Sequence, residues 1–278
     1  MRSFVRAVPE LFVLIFLTLA AYVTIGIFSK VSGTAVLTPT DMWLIVFGSF
    51  LFSTLIAIVA VVAGIGGGVL FTPVMLAFSS IDTVLIRATG LVVAMFSGLI
   101  STGPFMRRGL SEVKIVFFCS VPIVVGGTAG ALSAIHLATV MGAKGDAIVR
   151  LLLGTILVFI ALMFVIGGDK TEYPEPKKYD DISKKLGLYT SYWEESLQKV
   201  VHFQAVRAPL GGLLFFAVGF TGGFFGLGGG WAVVPVLNLV MAVPLKVSAA
   251  CSGVLLAMGN AAAIWPYILY GPLIAVLA

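Results

Sequence analysis

Two runs of three glycines are the residues in this sequence best suited to hold a ligand. They are Gly66, Gly67, Gly68 and, later in the chain, Gly228, Gly229, Gly230. Glycines carry no side chains, so the backbone N–H groups of such a run can approach a bound group closely. The apolar segment after each run predicts a short helix, whose N-terminus carries partial positive charge. The pattern favours an anion site, and close helix packing is the structural alternative.

Small polar side chains near the two runs could donate hydrogen bonds to an oxyanion. Each predicted short helix contains a proline, Pro73 in the first and Pro235 in the second, so both helices are interrupted. The candidate ligand groups are hydroxyl, thiol and amide side chains: Thr72, Thr89, Ser97, Cys251, Ser252 and Asn260. Each of them could instead be a helix-packing group.

The composition places these residues in a membrane protein. The chain has 278 residues, of which 60% are hydrophobic and 10% are charged. A soluble domain carries about 25% charged residues, and its interior is too small to bury this much apolar surface. A soluble enzyme, a nucleic-acid-binding protein and a disordered chain are therefore excluded. The composition predicts an all-α polytopic protein embedded in a lipid bilayer.

Charged side chains are rare within the predicted membrane spans. No Asp or Glu lies deep in an apolar segment, which disfavours a cation substrate and a proton relay through carboxylates. Arg87 is either a snorkelling residue at the membrane interface or a charge that attracts an anion at a cavity mouth. The sequence contains no metal-ligand spacing and no nucleotide-binding motif, so it predicts neither a cofactor nor an enzyme.

The sequence repeats itself at a distance of 162 residues. Adding 162 takes 64 to 226, 73 to 235, 88 to 250, 104 to 266 and 109 to 271, and both positions of each pair hold the same residue type. An odd number of predicted spans separates equivalent points, so the second repeat should be inverted. Inverted repeats with glycine- and proline-interrupted helices are typical of secondary transporters, which bind substrate between the repeats near the midplane.

Apolar runs that are long enough to cross a bilayer, together with two shorter ones, predict about nine helices. The predicted helices are 9–29, 42–63, 69–80, 83–105, 113–137, 147–167, 208–225, 231–242 and 246–270. They divide the chain into an N-terminal helix with an outside loop (1–41), repeat 1 (42–168), a cytoplasmic loop (169–207) and repeat 2 (208–278).

Basic residues concentrate in alternate loops. They lie before the first helix, between 107 and 114, and in the long loop after 168. Cytoplasmic loops of membrane proteins carry an excess of Lys and Arg. The sequence therefore predicts a multi-pass protein of the inner (cytoplasmic) membrane with its N-terminus inside.

The long polar loop contains apolar residues at steps of three and four. They are Ile182, Leu186, Tyr189, Trp193, Leu197 and Val200. This spacing predicts an amphipathic helix, which could lie on the membrane surface. A plain connector is the alternative.

Several stretches resemble one known family. The first runs from Gly64-Ile65-Gly66-Gly67-Gly68 to Pro73, and the others are Arg107-Arg108-Gly109-Leu110, the glycine-rich stretch 126–131, Gly226-Leu227-Gly228-Gly229-Gly230, 234–238 and 243–246. They resemble the paired signatures of the TauE/SafE sulfite exporters, which are TSUP-family membrane permeases. The resemblance covers about residues 42–275. It implies a permease for small sulfur-containing anions such as sulfite, thiosulfate or organosulfonates.

Two further expectations come from the thiols and from the repeat. The alternative function is a membrane thiol redox or sulfur-relay protein that uses Cys119 and Cys251. Repeat 2 should lack counterparts of helices 113–137 and 147–167, because the chain stops at Ala278. This favours a fragment of a longer protein over a homo-oligomer in which another protomer supplies the missing wall.

Overall fold

The computed structural model describes residues 67–78, 82–166, 172, 174, 181–194 and 197–270. This part of the chain is mostly helical. In chain order its elements are α1 (Gly67–Phe78), α2 (Thr83–Arg107), α3 (Val113–Ile166), α4 (Asp181–Lys185), β1 (Tyr189–Glu194), β2 (Lys199–Gln204), α5 (Ala208–Phe225), α6 (Gly230–Pro235) and α7 (Leu245–Tyr270). The predicted helices 9–29 and 42–63 lie outside the described residues, so the count of nine stays a prediction.

Four helices of the described part are long and apolar enough to cross a membrane. They are Thr83–Arg107, Val113–Gly142, Ala208–Phe225 and Leu245–Tyr270. Two shorter apolar segments, Gly67–Phe78 and Gly230–Val240, follow the glycine runs. The predicted helical membrane architecture with short helices after the glycine runs is confirmed, and the predicted bounds hold to within a few residues.

Helix α3 joins two helices that the sequence analysis separated. The backbone leaves helical geometry at Gly142, where φ is 50° and ψ is −129°. The expected loop between 137 and 147 is therefore wrong, since helix continues on both sides of this one glycine. Glycine adopts a positive φ at little steric cost, and this allows an abrupt break without a connecting loop.

The segment after α6 shows how a proline shapes the second short helix. Pro235 has no N–H to give to the helix, and five residues of π-helix, Val236–Val240, follow it. The turn then closes through Asn238, whose Nδ2 donates to the carbonyl oxygen of Val243 at 2.9 Å. The chain then leads directly into the start of α7.

The predicted amphipathic helix in the long loop is wrong. The loop instead forms the five-residue helix α4 and an antiparallel hairpin of β1 and β2, with Tyr192 opposite Val201 and Glu194 opposite Lys199. Aromatic and β-branched residues in both segments favour strands. The apolar side chains spaced by three and four are all exposed, whereas the alternating Tyr192 and Glu194 are buried.

Helices α2 and α7 pack against each other in antiparallel directions. Gly98 of α2 meets the backbone of Gly253 near the start of α7, whereas Val84 of α2 clusters with Ile264 and Tyr267 near its end. Adding 162 to the bounds of α2, 83 and 107, gives 245 and 269, which closely match Leu245–Tyr270. Two segments of equivalent sequence therefore have nearly the same length and run in opposite directions.

Helices α3 and α5 pack closely through glycines. A Cβ at Gly126 would lie 2.2 Å from the carbonyl oxygen of Phe216, and one at Gly130 would lie 2.1 Å from that of Phe220. Only glycine allows backbones to approach this closely. Gly126 and Gly130 therefore form part of a packing face between α3 and α5.

Candidate functional site

The two glycine runs meet inside the helical bundle. A Cβ at Gly68 would lie 2.6 Å from the carbonyl oxygen of Leu227, so the backbone of the first run touches that of the second. Ala94 of α2 lies between them, because its Cβ would be 2.9 Å from a Cβ at Gly68 and 2.7 Å from one at Gly228. Gly67 is buried beside Val93. Gly66 lies outside the described residues.

The turn that carries the second run depends on glycine for its backbone conformation. Gly226 has a φ of 71° and Gly228 has a φ of 68°, values that L-residues with side chains adopt at a steric cost. Gly229 and Gly230 continue the turn into α6 and are buried, as is Pro235. Apart from Leu227, whose side chain is buried in the hydrophobic core, the turn therefore presents only backbone to its surroundings.

Thr72 holds this turn from the side of the first run. Its side chain is fully buried and its Oγ1 donates to the carbonyl oxygen of Gly226 at 2.7 Å. Gly90 leaves room for the contact, because a Cβ there would lie 2.0 Å from Thr72 Oγ1. The Thr72 donor is thus already used, and its neighbour Pro73 is only partly buried. Thr72 positions the turn.

Arg87 lies fully buried at the C-terminal end of α5. Its guanidinium donates to the carbonyl oxygen of Thr83 at 3.1 Å and to that of Phe224 at 3.4 Å. Among the described residues no carboxylate forms an ion pair with it, and Asp146 is reached only through the hydroxyl of Thr83. The snorkelling interpretation is wrong for this residue, because its side chain has no exposed surface.

Tyr267 completes the surroundings of Arg87 and was not predicted from the sequence. It is fully buried, and its hydroxyl donates to the carbonyl oxygen of Gly223 at 2.9 Å. Asn260, Ala263 and Tyr267 follow one another at steps of three and four, so they share one face of α7. That helical spacing from Asn260 is the signal that could have identified Tyr267.

A small enclosed cavity lies beside the second glycine run. Glycines of α5, the turn and α7 make up half of the residues that line it, and Ile123 and Asn260 are among the others. About 10 Å³ is open to the centre of a water-sized molecule, which is roughly the room that one water needs. The Asn260 side chain is 4% exposed, and its Nδ2 has no hydrogen-bond partner among the described residues. The cavity therefore contains a buried donor that is available to a small acceptor.

The remaining predicted ligand groups do not line this cavity. Thr89 is exposed and its hydroxyl donates to the carbonyl oxygen of Leu85 at 2.8 Å. Ser252 donates to the carbonyl oxygen of Ala249 at 2.8 Å, which leaves it bound to its own helix. Ser97 is only partly buried, and it lies on α2 beside Gly98, which packs on α7.

The two cysteines are free thiols in the hydrophobic core. Both Cys119 and Cys251 are fully buried, and both belong to the cluster that joins α3, α5 and α7. Neither thiol has a surface on which an external redox partner could act. The interpretation of the cysteines as small buried apolar groups accounts for their surroundings.

Comparison with known proteins gives one family and one curated relative. The family described as "Sulfite exporter TauE/SafE" matches residues 49–278. A protein of Bacillus subtilis (strain 168), described as "Probable membrane transporter protein YunE", is 23% identical over 198 residues. That alignment covers 68% of this chain and 66% of the relative, so the chain matches just under two thirds of the relative's length. No solved structure shows significant similarity.

Proposed function

The chain belongs to the TauE/SafE sulfite exporter family of membrane transporters, and we propose that it is a secondary transporter of small sulfur-containing anions. The substrates are sulfite, thiosulfate or organosulfonates. The family match supports transport, and the chemistry of the buried site supports an anion. The protein acts in the inner membrane of the cell as a multi-pass protein.

Arg87 is the observation that carries this proposal. A buried cation without an acidic partner costs several kcal/mol in an apolar interior, and a bound anion would offset that cost. Carbonyl oxygens of Thr83 and Phe224 hold the guanidinium in place without cancelling its charge. A cation carrier would instead need a buried carboxylate, and the buried Glu194 of the hairpin is paired with Lys246 at the start of α7.

The site that we propose lies between the glycine runs, with Asn260 as its nearest side-chain donor. The turn 226–230 supplies backbone groups, and Asn260 supplies an N–H without a partner. The cavity is smaller than a sulfite ion, since it holds about one water. Binding therefore requires the glycine runs to move apart, which fits a transporter that alternates between two conformations.

The two halves of the transporter form inverted repeats in this proposal. The antiparallel packing of α2 on α7 supports the inversion, as do the equivalent bounds of the two helices. Positions near Ala94 then lie closest to the pseudo-two-fold axis, and both glycine runs face that axis. A shared axis explains how two distant runs can serve a single site.

A transport screen in proteoliposomes tests the substrate class. Purified protein is reconstituted, and the uptake of sulfite, thiosulfate, an alkylsulfonate, sulfate and sodium ion is followed separately. We expect uptake of at least one of the first three anions to exceed that of protein-free vesicles, with no uptake of sodium alone. Transport of a cation without any anion would refute the proposal.

A further inference from the structure

A long apolar groove lies on the outer surface, away from the glycine runs. It has a volume of about 590 Å³ and lies between the start of α3, the start of α5 and the segment before the hairpin. Its lining is apolar apart from one lysine, and includes Val113, Lys114, Phe117, Val121, Leu186 and Gly212. This volume falls within the range of small-molecule sites.

The groove faces the bilayer along part of its length. Val113, Phe117 and Val121 are spaced by four residues and are all exposed, which puts them on one outer face of a helix that can span a membrane. Gly212 forms part of the floor, where a Cβ would lie 3.7 Å from the ring of Phe118. The missing side chain at Gly212 leaves space for a hydrocarbon chain.

The basic end of the groove is marked by Lys114, which lines it and whose Nζ lies 5.3 Å from the centroid of the Tyr189 ring. Further basic residues lie close to the lining residues in sequence. The exposed Lys184 and Lys185 precede Leu186, and the exposed Arg108 lies in the loop that leads to Val113. Two acidic residues, Glu112 and Asp181, occur in the same segments, so the basic residues are in excess.

The exposed surface of α4 and the hairpin has the composition of a membrane-interface element. Its apolar residues include Ile182, Tyr189 and Trp193, which are all exposed beside lysines. Aromatic side chains of this kind concentrate at the level of lipid headgroups. The basic end of the groove therefore lies where a phospholipid would place its phosphate.

We propose that this groove binds a phospholipid with an anionic headgroup. An acyl chain lies along Phe117, Val121 and Gly212, and the phosphate lies beside Lys114 with Lys184 and Lys185 around it. The apolar lining of the groove favours an acyl chain, and the excess of basic side chains favours a negatively charged headgroup. The site does not depend on the proposed transport function, because it shares no residue with the glycine-lined cavity.

Thermal unfolding of the full chain in detergent tests this proposal with three additives. Phosphatidylglycerol carries both the chain and the charge, phosphatidylcholine has a zwitterionic headgroup on the same chains, and glycerol phosphate lacks the chains. We expect phosphatidylglycerol alone to raise the midpoint of unfolding and to stay bound in native mass spectrometry. Equal stabilisation by phosphatidylcholine, or stabilisation by glycerol phosphate, would contradict the proposal.

Variants locate the effect in the groove. Lys114→Ala should weaken phosphatidylglycerol binding about fivefold, the size expected for one basic residue near a lipid headgroup. Gly212→Leu should abolish binding by filling the acyl channel while all charges remain. Lys144→Ala removes one exposed lysine just after the break at Gly142 in α3 and should leave the lipid affinity unchanged. Wild-type lipid affinity in both groove variants would overturn the assignment.

Discussion

Arg87 and Asn260 are buried polar side chains that the packing does not neutralise. The Arg87 guanidinium meets carbonyl oxygens and one hydroxyl, and the Asn260 amide nitrogen meets no partner among the described residues. Each unsatisfied buried group costs about 1–3 kcal/mol. If these groups serve to bind an anion, replacing them should weaken transport more than it weakens folding, and both effects can be measured.

Asn260→Leu should separate function from stability. The change removes a donor that has no partner, so the free energy of unfolding should stay within about 1 kcal/mol of wild type or rise. Anion transport should fall at least tenfold, because a ligand loses its hydrogen bond. Thermal unfolding and proteoliposome flux measure the two effects.

Asn238→Leu is the matched control for that change. Asn238 is equally buried, but its Nδ2 already donates to the carbonyl oxygen of Val243. Its loss should cost about 2 kcal/mol of stability, since the carbonyl oxygen is left with one bond fewer. If both asparagine variants lose stability equally, Asn260 is a structural residue.

The two described glycines of the first run should respond differently to alanine. A Cβ at Gly68 meets backbone atoms of Leu227 and Gly90, which cannot move aside independently, whereas a Cβ at Gly67 meets only the Val93 side chain. Gly68→Ala should cost about 1–3 kcal/mol, and Gly67→Ala should cost less than about 1 kcal/mol. Chemical unfolding in detergent checks the order, and a reversed order would show that the runs do not touch.

At the scale of residues, few residue types in this chain could bind an anion. The glycine runs were candidates for their exposed backbone N–H groups, and Asn260 for its amide donor. The structure brings Gly68, Gly228 and Asn260 close together, and their role as a binding site stays a prediction. Thr89 and Ser252 could not be distinguished from them, because a hydroxyl that bonds to its own helix looks the same in sequence as one that faces a cavity. Only three-dimensional packing decides which face of a helix is turned inward.

The hairpin is attached to the membrane helices by an ion pair. Lys246 at the start of α7 pairs with Glu194 at the end of β1, and the Glu194 side chain is 1% exposed. The amide of Val206 also donates to the carbonyl oxygen of Met241 at 3.0 Å. These contacts fix the loop against the helical bundle.

Lys246→Met should loosen that attachment. The change leaves a buried carboxylate without its lysine, which should cost about 2 kcal/mol or more. The double variant Lys246→Met with Glu194→Leu should recover most of the loss, because no uncompensated charge remains. Lys144→Met, at an exposed position of α3, serves as the control. Unfolding curves for the two single variants, Lys246→Met and Glu194→Leu, and for the double variant give the coupling energy, and additive losses would contradict a specific ion pair.

Helices were easier to predict than the hairpin for a physical reason. Membrane helices are set by the bilayer thickness, so apolar length alone gives the bounds of α2, α5 and α7. The loop obeys no such constraint. The apolar residues spaced by three and four in this loop are all exposed and do not form one helix face. The strand was instead indicated by alternate burial, with Tyr192 and Glu194 turned inward.

The orientation of the whole molecule remains a prediction that labelling can decide. We expect the N-terminus and the hairpin to be cytoplasmic, because basic residues concentrate in those segments. Ser191 is exposed on β1, so Ser191→Cys in a background without Cys119 and Cys251 is a suitable reporter. An impermeant thiol reagent should label it in inverted vesicles and not in intact cells. The opposite pattern would reverse the topology.

At the scale of the whole molecule the repeat is read directly from the sequence, whereas its inversion is predicted only through the number of membrane spans. The shift of 162 connects α2 with α7, whose antiparallel packing agrees with inversion. The corresponding test for the helix before the first glycine run falls on residues 42–63, which lie outside the described residues. The repeat in the sequence shows which segments are equivalent. Whether two equivalent helices run in the same or in opposite directions depends on how many times the chain crosses the membrane between them.

The flux of sulfur anions through Arg87 variants tests the central claim most directly. Arg87→Gln removes the buried charge and retains hydrogen-bonding groups, and Arg87→Lys retains the charge without the planar guanidinium. Arg108→Gln controls for loss of an exposed arginine. Removing one partner of a buried charged contact costs about 2 kcal/mol or more. We therefore predict that Arg87→Gln, shown to be folded by its unfolding midpoint, transports the best wild-type substrate at least 30-fold more slowly at limiting concentration, with Arg87→Lys in between and Arg108→Gln unchanged. Wild-type flux in folded Arg87→Gln protein would contradict the account.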